Sequence, residues 1–108
     1  MTLIVILTVR PEALDTFRAF EQQAARLMAR HGGAIERVVV LARAAPDAPP
    51  DLPPDAPHRE VHLVTFPSAE AYAAYRADPG LQALAPLREA AVLSTEILAG
   101  EEGPHYGG

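Results

Sequence analysis

Alternation and three-to-four spacing of apolar residues divide this chain into four strands and two helical stretches, the second of them in two pieces. Residues 2–9, T-L-I-V-I-L-T-V, form a leucine and β-branched run too short for a core helix, so they predict a first strand. Arg10-Pro11-Glu12 reads as a helix start with proline in its first turn. Over residues 11–31, Leu14, Phe17, Phe20, Ala24, Leu27 and Met28 recur at steps of three and four, and Gly32-Gly33 supplies a left-handed stop. Ile35 and the run Val38-Val39-Val40-Leu41 predict a second strand over residues 34–43. A third strand, residues 58–66, leads through Pro67 to Ser68, the cap of a helix ending near Ala77. Asp78-Pro79-Gly80 breaks that helix before a second helical piece at residues 81–91, where Pro86 sits in the first turns or kinks it. Over residues 92–99, Leu93, Thr95 and Ile97 alternate with Ser94, Glu96 and Leu98, a fourth strand.

The order is βαββαβ, which predicts a ferredoxin-like α+β domain: a four-stranded antiparallel sheet with its helices on one face. Residues 1–100 hold the domain and residues 101–108, ending H-Y-G-G, a flexible tail. Residues 44–57 contain six prolines and three aspartates, which removes backbone donors and favours an extended, solvated loop. That insertion reads as a connection between strands two and three, or as a proline-rich ligand for a partner's aromatic groove. A sheet with one uncovered apolar face in a chain of 108 residues is expected to bury that face against a second copy, as an isologous homodimer.

Composition narrows the function classes. A formal charge of -5 with nine scattered basic residues argues against nucleic-acid and anionic-membrane partners. The absence of cysteine removes disulfides, thiolate metal sites and cysteine nucleophiles, and fits a cytoplasmic location. Leu3–Leu7 is far short of the roughly 20 residues a membrane span needs. Nine arginines without a lysine, together with 21 alanines and 11 prolines, read as the codon bias of a GC-rich bacterial genome. No phosphate-cradling glycine loop, dinucleotide fingerprint or G-x-S-x-G elbow occurs, so neither a nucleotide nor another organic cofactor is expected.

Candidate chemistry concentrates on E-V-H-L-V-T-F-P-S. Glu60 and His62 are two apart on a strand and therefore share a face. A histidine beside a carboxylate is a general base whose tautomer the carboxylate fixes, for a proton on an acidic carbon or a phenol. The other reading is a hydrogen-bonded pair within the sheet. Ser94 and Glu96 repeat the spacing on the fourth strand, and if the two faces coincide they extend the polar patch. Tyr72 and Tyr75 share a helix face, at a pocket mouth or as packing. Arg88 is placed to pair with a substrate carboxylate or with a protein acid. His31 ends the first helix, where it caps the terminus or reaches the site. His58 and His105 read as solvated. The spacing of His31, Glu60 and His62 matches no metal motif, and no metal is expected.

The H-G-G after the first helix, the E-V-H-L-V-T-F-P-S-A-E-A-Y strand-to-helix turn, the later P-L-R and the closing T-E-I-L-A-G together resemble the dimeric α+β barrel superfamily. Within it the chain resembles the small bacterial family called domain of unknown function thirteen-thirty, a cousin of antibiotic-biosynthesis-monooxygenase domains. The resemblance runs from about Phe17 to Gly100, with the proline-rich insertion standing where a compact hairpin is usual. It implies a dimeric barrel. It also implies a choice of activities, since the superfamily holds cofactor-free oxygenases, haem-handling proteins, muconolactone-type isomerases and proteins without known activity. Two readings follow: a pocket near the sheet that binds a small apolar or aromatic metabolite, or a cofactor-independent monooxygenase- or isomerase-like enzyme with His62 as general base.

Overall fold

The computed structural model describes residues 1–41 and 56–107. The proline-rich loop expected at residues 44–57 lies, apart from its last two residues, outside the described residues. Four strands, β1 (Thr2–Val9), β2 (Ala34–Val40), β3 (His58–Thr65) and β4 (Val92–Gly100), form one antiparallel sheet in the order β2-β3-β1-β4. This is the ferredoxin-like arrangement that the βαββαβ pattern predicts.

A short 3-10 turn, Pro11–Ala13, precedes α1 (Leu14–Arg30), because proline at the first position fixes φ but gives no backbone donor. Phe17, Phe20, Ala24, Leu27 and Met28 of α1 are buried against the sheet, the stripe that the three-to-four spacing marks. Gly32 then takes a φ of 76°, and the Gly32 and Gly33 amides donate to Ala29 and Met28 carbonyls at 3.1 and 2.9 Å. Ser68 caps α2 (Ala69–Arg76) by accepting from the Ala71 amide at 3.1 Å.

Residues 78–80 begin a helix where the sequence suggested a break. Asp78 accepts from the Gly80 amide at 2.8 Å and Pro79 opens α3 (Pro79–Gln82). The single piece expected at residues 81–91 is accordingly two, with α4 (Ala85–Ala91) starting anew at Ala85 and Pro86 in its first turn. Residues 101–107 carry neither helix nor strand and are exposed.

Register decides what each face holds. Leu7, Val5 and Leu3 of β1 stand opposite Glu60, His62 and Val64 of β3, and opposite Thr95, Ile97 and Ala99 of β4. These positions point toward the helices, where Leu3, Leu7, Val9, Val64 and Phe66 join the helical stripe in the core. The other face carries Ile4, Ile6, Val61, Leu63, Val39 and Leu98, and no described helix covers it. No described helix is long and apolar enough to cross a membrane.

Candidate functional site

Between the sheet and the helices lies a cavity of about 420 Å³. β1, β3 and β4 form its floor, α1 one wall, and α2, α3 and α4 the other. Leu3, Phe20, Phe66 and Ile97 give it an apolar body, while His62, Glu21, Tyr72, Tyr75, Arg76 and Arg88 bring polar groups to it. Few polar groups converging on an apolar hollow is the usual form of a small-molecule site.

The polar network starts at Glu60, whose side chain is fully buried. Its carboxylate accepts from His58 Nε2 at 2.6 Å through Oε2 and from His62 Nε2 at 2.9 Å through Oε1, and it pairs with Arg18 at 2.5 Å. Burial alone would raise its pKa; the hydrogen bonds from His62, His58 and Arg18 outweigh it and hold the carboxyl below its ordinary value. An ionised Glu60 has no proton to give, so His62 Nε2 must carry the hydrogen, and in the neutral ring Nδ1 is then the lone-pair nitrogen.

That nitrogen lies on the side of Glu21, a residue that lines the cavity. His62 lines the cavity whereas Glu60 sits beneath it, and the nearest carboxylate to Nδ1 is Glu21 Oε2 at 3.7 Å, beyond hydrogen-bonding reach. Phe17 shields the network on the α1 side, its ring centroid 6.4 Å from those of both His58 and His62. A buried imidazole oriented by a carboxylate, with its basic nitrogen on an apolar hollow, is able to accept a proton from a ligand.

At the opposite wall, Arg76 Nη1 donates to the Tyr72 hydroxyl at 2.9 Å and Arg88 Nη2 to Thr95 Oγ1 at 3.0 Å. Neither arginine has a carboxylate within 4.0 Å among the described residues. Tyr75 is buried behind Tyr72 and against Phe66, and burial together with the Glu21 carboxyl pushes its hydroxyl up to about 12, so it stays a neutral donor.

The structure thus brings Glu60, His62, Tyr72, Tyr75 and Arg88 to one place and leaves two expected residues out. His31 caps α1, and its Nε2 pairs with Asp78 Oδ2 at 2.8 Å, tying that helix to the start of α3; this contact and the Gly80 amide hold the Asp78 carboxyl below its ordinary value. Glu96 stands opposite Ile6, so it and Ser94 project from the uncovered face; the two polar pairs do not share a face. His58, expected in solvent, is largely enclosed and bonded to Glu60. The sequence reading passed over Glu21, although it lies four residues after Phe17 and three before Ala24, inside the buried stripe. Among the described residues no three His, Cys, Asp or Glu side chains converge to hold a metal.

No family model and no curated protein matches the chain. Solved structures do. An antibiotic biosynthesis monooxygenase superposes with a TM-score of 0.64 at 14% identity, over 95% of this chain and 98% of that one. SnoaB, a cofactor-independent oxygenase from Streptomyces nogalater, superposes at 0.55 and 17%, over 94% and 93%. A dimeric protein of unknown function and ferredoxin-like fold from Bacteroides fragilis gives 0.55 and 16%, over 90% of each chain. The chain therefore has the ferredoxin-like fold of these proteins, in agreement with the resemblance to dimeric α+β barrels. Identities this low speak to fold, and function has to be argued from the site.

Proposed function

We propose that this protein binds a small aromatic or otherwise apolar metabolite between sheet and helices and that His62, held by Glu60, takes an acidic C–H or O–H proton from it. The observation that carries the reading is the His62 ring itself: 2.9 Å from a fully buried carboxylate on one side, facing the cavity on the other. An apolar enclosure shields such a proton transfer from water and strengthens the Glu60 hydrogen bond. Arg88 and Arg76, free of carboxylate partners among the described residues, suit a ligand anion at the cavity edge, and Tyr72 and Tyr75 supply flat apolar surface for a ring. The protein acts as a homodimer in this reading, closing the bare sheet face. That a cofactor-independent oxygenase is built on the same fold is in keeping with a base working without a resident organic group.

p-Nitrophenol tests the assignment, because only its phenolate absorbs visible light. At a pH below its own titration, bound p-nitrophenol is expected to turn yellow with one site per chain. His62→Ala is expected to bind it colourless. If the wild-type complex stays colourless, or the variant is equally yellow, His62 is not the base, and a site that binds without proton transfer is what remains.

A further inference from the structure

Glu21 makes no hydrogen bond in the network around Glu60, yet it is the carboxyl that lines the cavity. It projects from the middle of α1 within the buried stripe, is only 16% exposed, and lines the same hollow as His62. The one basic group within 4.0 Å of its carboxylate among the described residues is His62 Nδ1, at 3.7 Å. The two groups come from different layers, helix and sheet, and face one volume without bonding to each other. A separation near 3.7 Å leaves each free to touch a different atom of one small planar ligand.

We propose that Glu21 is the acid partner of His62 and that the pair interconverts keto and enol forms of an aromatic 2-oxo acid, with Arg88 and Arg76 holding the carboxylate. This deepens the reading of His62 as a base and rests on it. In the enolising direction His62 Nδ1 removes a proton from the carbon next to the carbonyl. The C–H electron pair becomes the C=C bond, the carbonyl π pair moves to oxygen, and the Glu21 carboxyl delivers its proton there. The products are the enol, an imidazolium and a carboxylate; once the enol leaves, the imidazolium gives its proton to water and the Glu21 carboxylate takes one from water, which resets both. One proton enters and one leaves, so the ligand formula is unchanged and no oxidant or co-reactant is needed.

The electrostatics agree with these roles. Burial raises the Glu21 pKa and the Glu60 carboxylate adds to it, while His62 and Arg18 oppose, and the balance stays above the ordinary glutamate value. Tyr75, on α2, lines the same cavity and stays a neutral hydroxyl. Two neighbouring groups whose surroundings favour a protonated acid on one and a hydrogen-bonded base on the other form an acid–base pair.

Phenylpyruvate carries all the required parts: ring, carboxylate and enolisable methylene. Its tautomerisation is followed by the ultraviolet absorbance of the enol. Wild-type kcat/KM is expected to be bell-shaped in pH, as an acid–base pair requires. Glu21→Gln keeps the shape of the side chain but has no proton to deliver. It is expected to lower the rate roughly a hundredfold or more and to turn the bell into a single rise to a plateau. His62→Ala is expected to remove catalysis while circular dichroism shows all three proteins folded. If Glu21→Gln keeps the wild-type rate and bell, Glu21 is not the acid, although the p-nitrophenol colour still stands for His62. If wild type does not accelerate phenylpyruvate at all while p-nitrophenol still ionises, the tautomerase assignment is overturned and the base is retained.

Discussion

Three donors surround one buried carboxylate at Glu60, and removing the charge leaves those donors without an acceptor of the right kind. In Glu60→Gln the amide nitrogen would face either His58 and Arg18 or His62, so a donor meets a donor. The variant is expected to lose roughly 1–3 kcal/mol of stability in urea unfolding, and to release the tautomer of His62. The pH dependence has a definite sign. Because Glu60 is lowered from 4.5, its contribution is complete above that value and is lost as pH falls through the lower folded value. Glu21, raised from 4.5, behaves oppositely: its contribution is complete below that value and fades as pH rises through the folded one. Stability measured against pH should therefore decline less steeply on the acid side in Glu60→Gln, the remainder belonging to Asp78, and parallel curves for wild type and variant would contradict the account. Strand parity made the Glu60–His62 pair legible in the sequence, and the same parity includes His58, which the neighbouring prolines disguised as solvated. Glu21 was legible in principle, as a carboxylate inside an apolar helical stripe. Glu96 was not, since alternation fixes which residues share a face but not which face points to the helices. That depends on Leu7 pairing with both Glu60 and Thr95, a long-range fact.

At the scale of elements, local chemistry decided most of the outcome. The end of α1 needs a left-handed residue at position 32, where φ is 76° and an added Cβ would stand 2.8 Å from Pro67 Cγ. Gly32→Ala is expected to cost about 1–2 kcal/mol from the backbone alone, read as a lowered urea midpoint with an unchanged slope. A variant as stable as wild type would mean that the turn relaxes. The same local rules misled at Asp78-Pro79-Gly80. That tripeptide suits a helix stop and a helix start equally, and the His31–Asp78 contact, 47 residues apart in sequence, accompanies the start. The four strands and the long helix followed from spacing because their apolar positions repeat. The short helices α3 and α4 have too few turns for a period to emerge.

For the whole molecule, the arrangement sets a polar network and cavity on one side of the sheet and leaves an apolar surface on the other. Leu98 and Val39, 48% and 41% exposed, flank the half-buried Ile4, Ile6, Val61 and Leu63, a patch of the kind monomers seldom leave open. Wild-type protein is expected to show twice the chain mass in native mass spectrometry. Leu98→Glu, a charge placed at the exposed edge of that face, is expected to give a monomer without loss of helix or sheet in circular dichroism. A monomeric wild type would contradict the dimer and leave the cavity argument as it stands, because every residue of the Glu60 network comes from one chain.

One nitrogen atom, Nδ1 of His62, carries the proposed chemistry. Long-range nitrogen–proton correlation in protein with 15N-labelled histidine reports the tautomer of His62 directly. At a pH where the ring is neutral, a protonated Nε2 and a bare Nδ1 are predicted, with the Nδ1 signal moving when p-nitrophenol is added and the Nε2 hydrogen retained. A proton on Nδ1, or an Nδ1 signal indifferent to the added phenol, would contradict a base held by Glu60 and turned toward a ligand cavity.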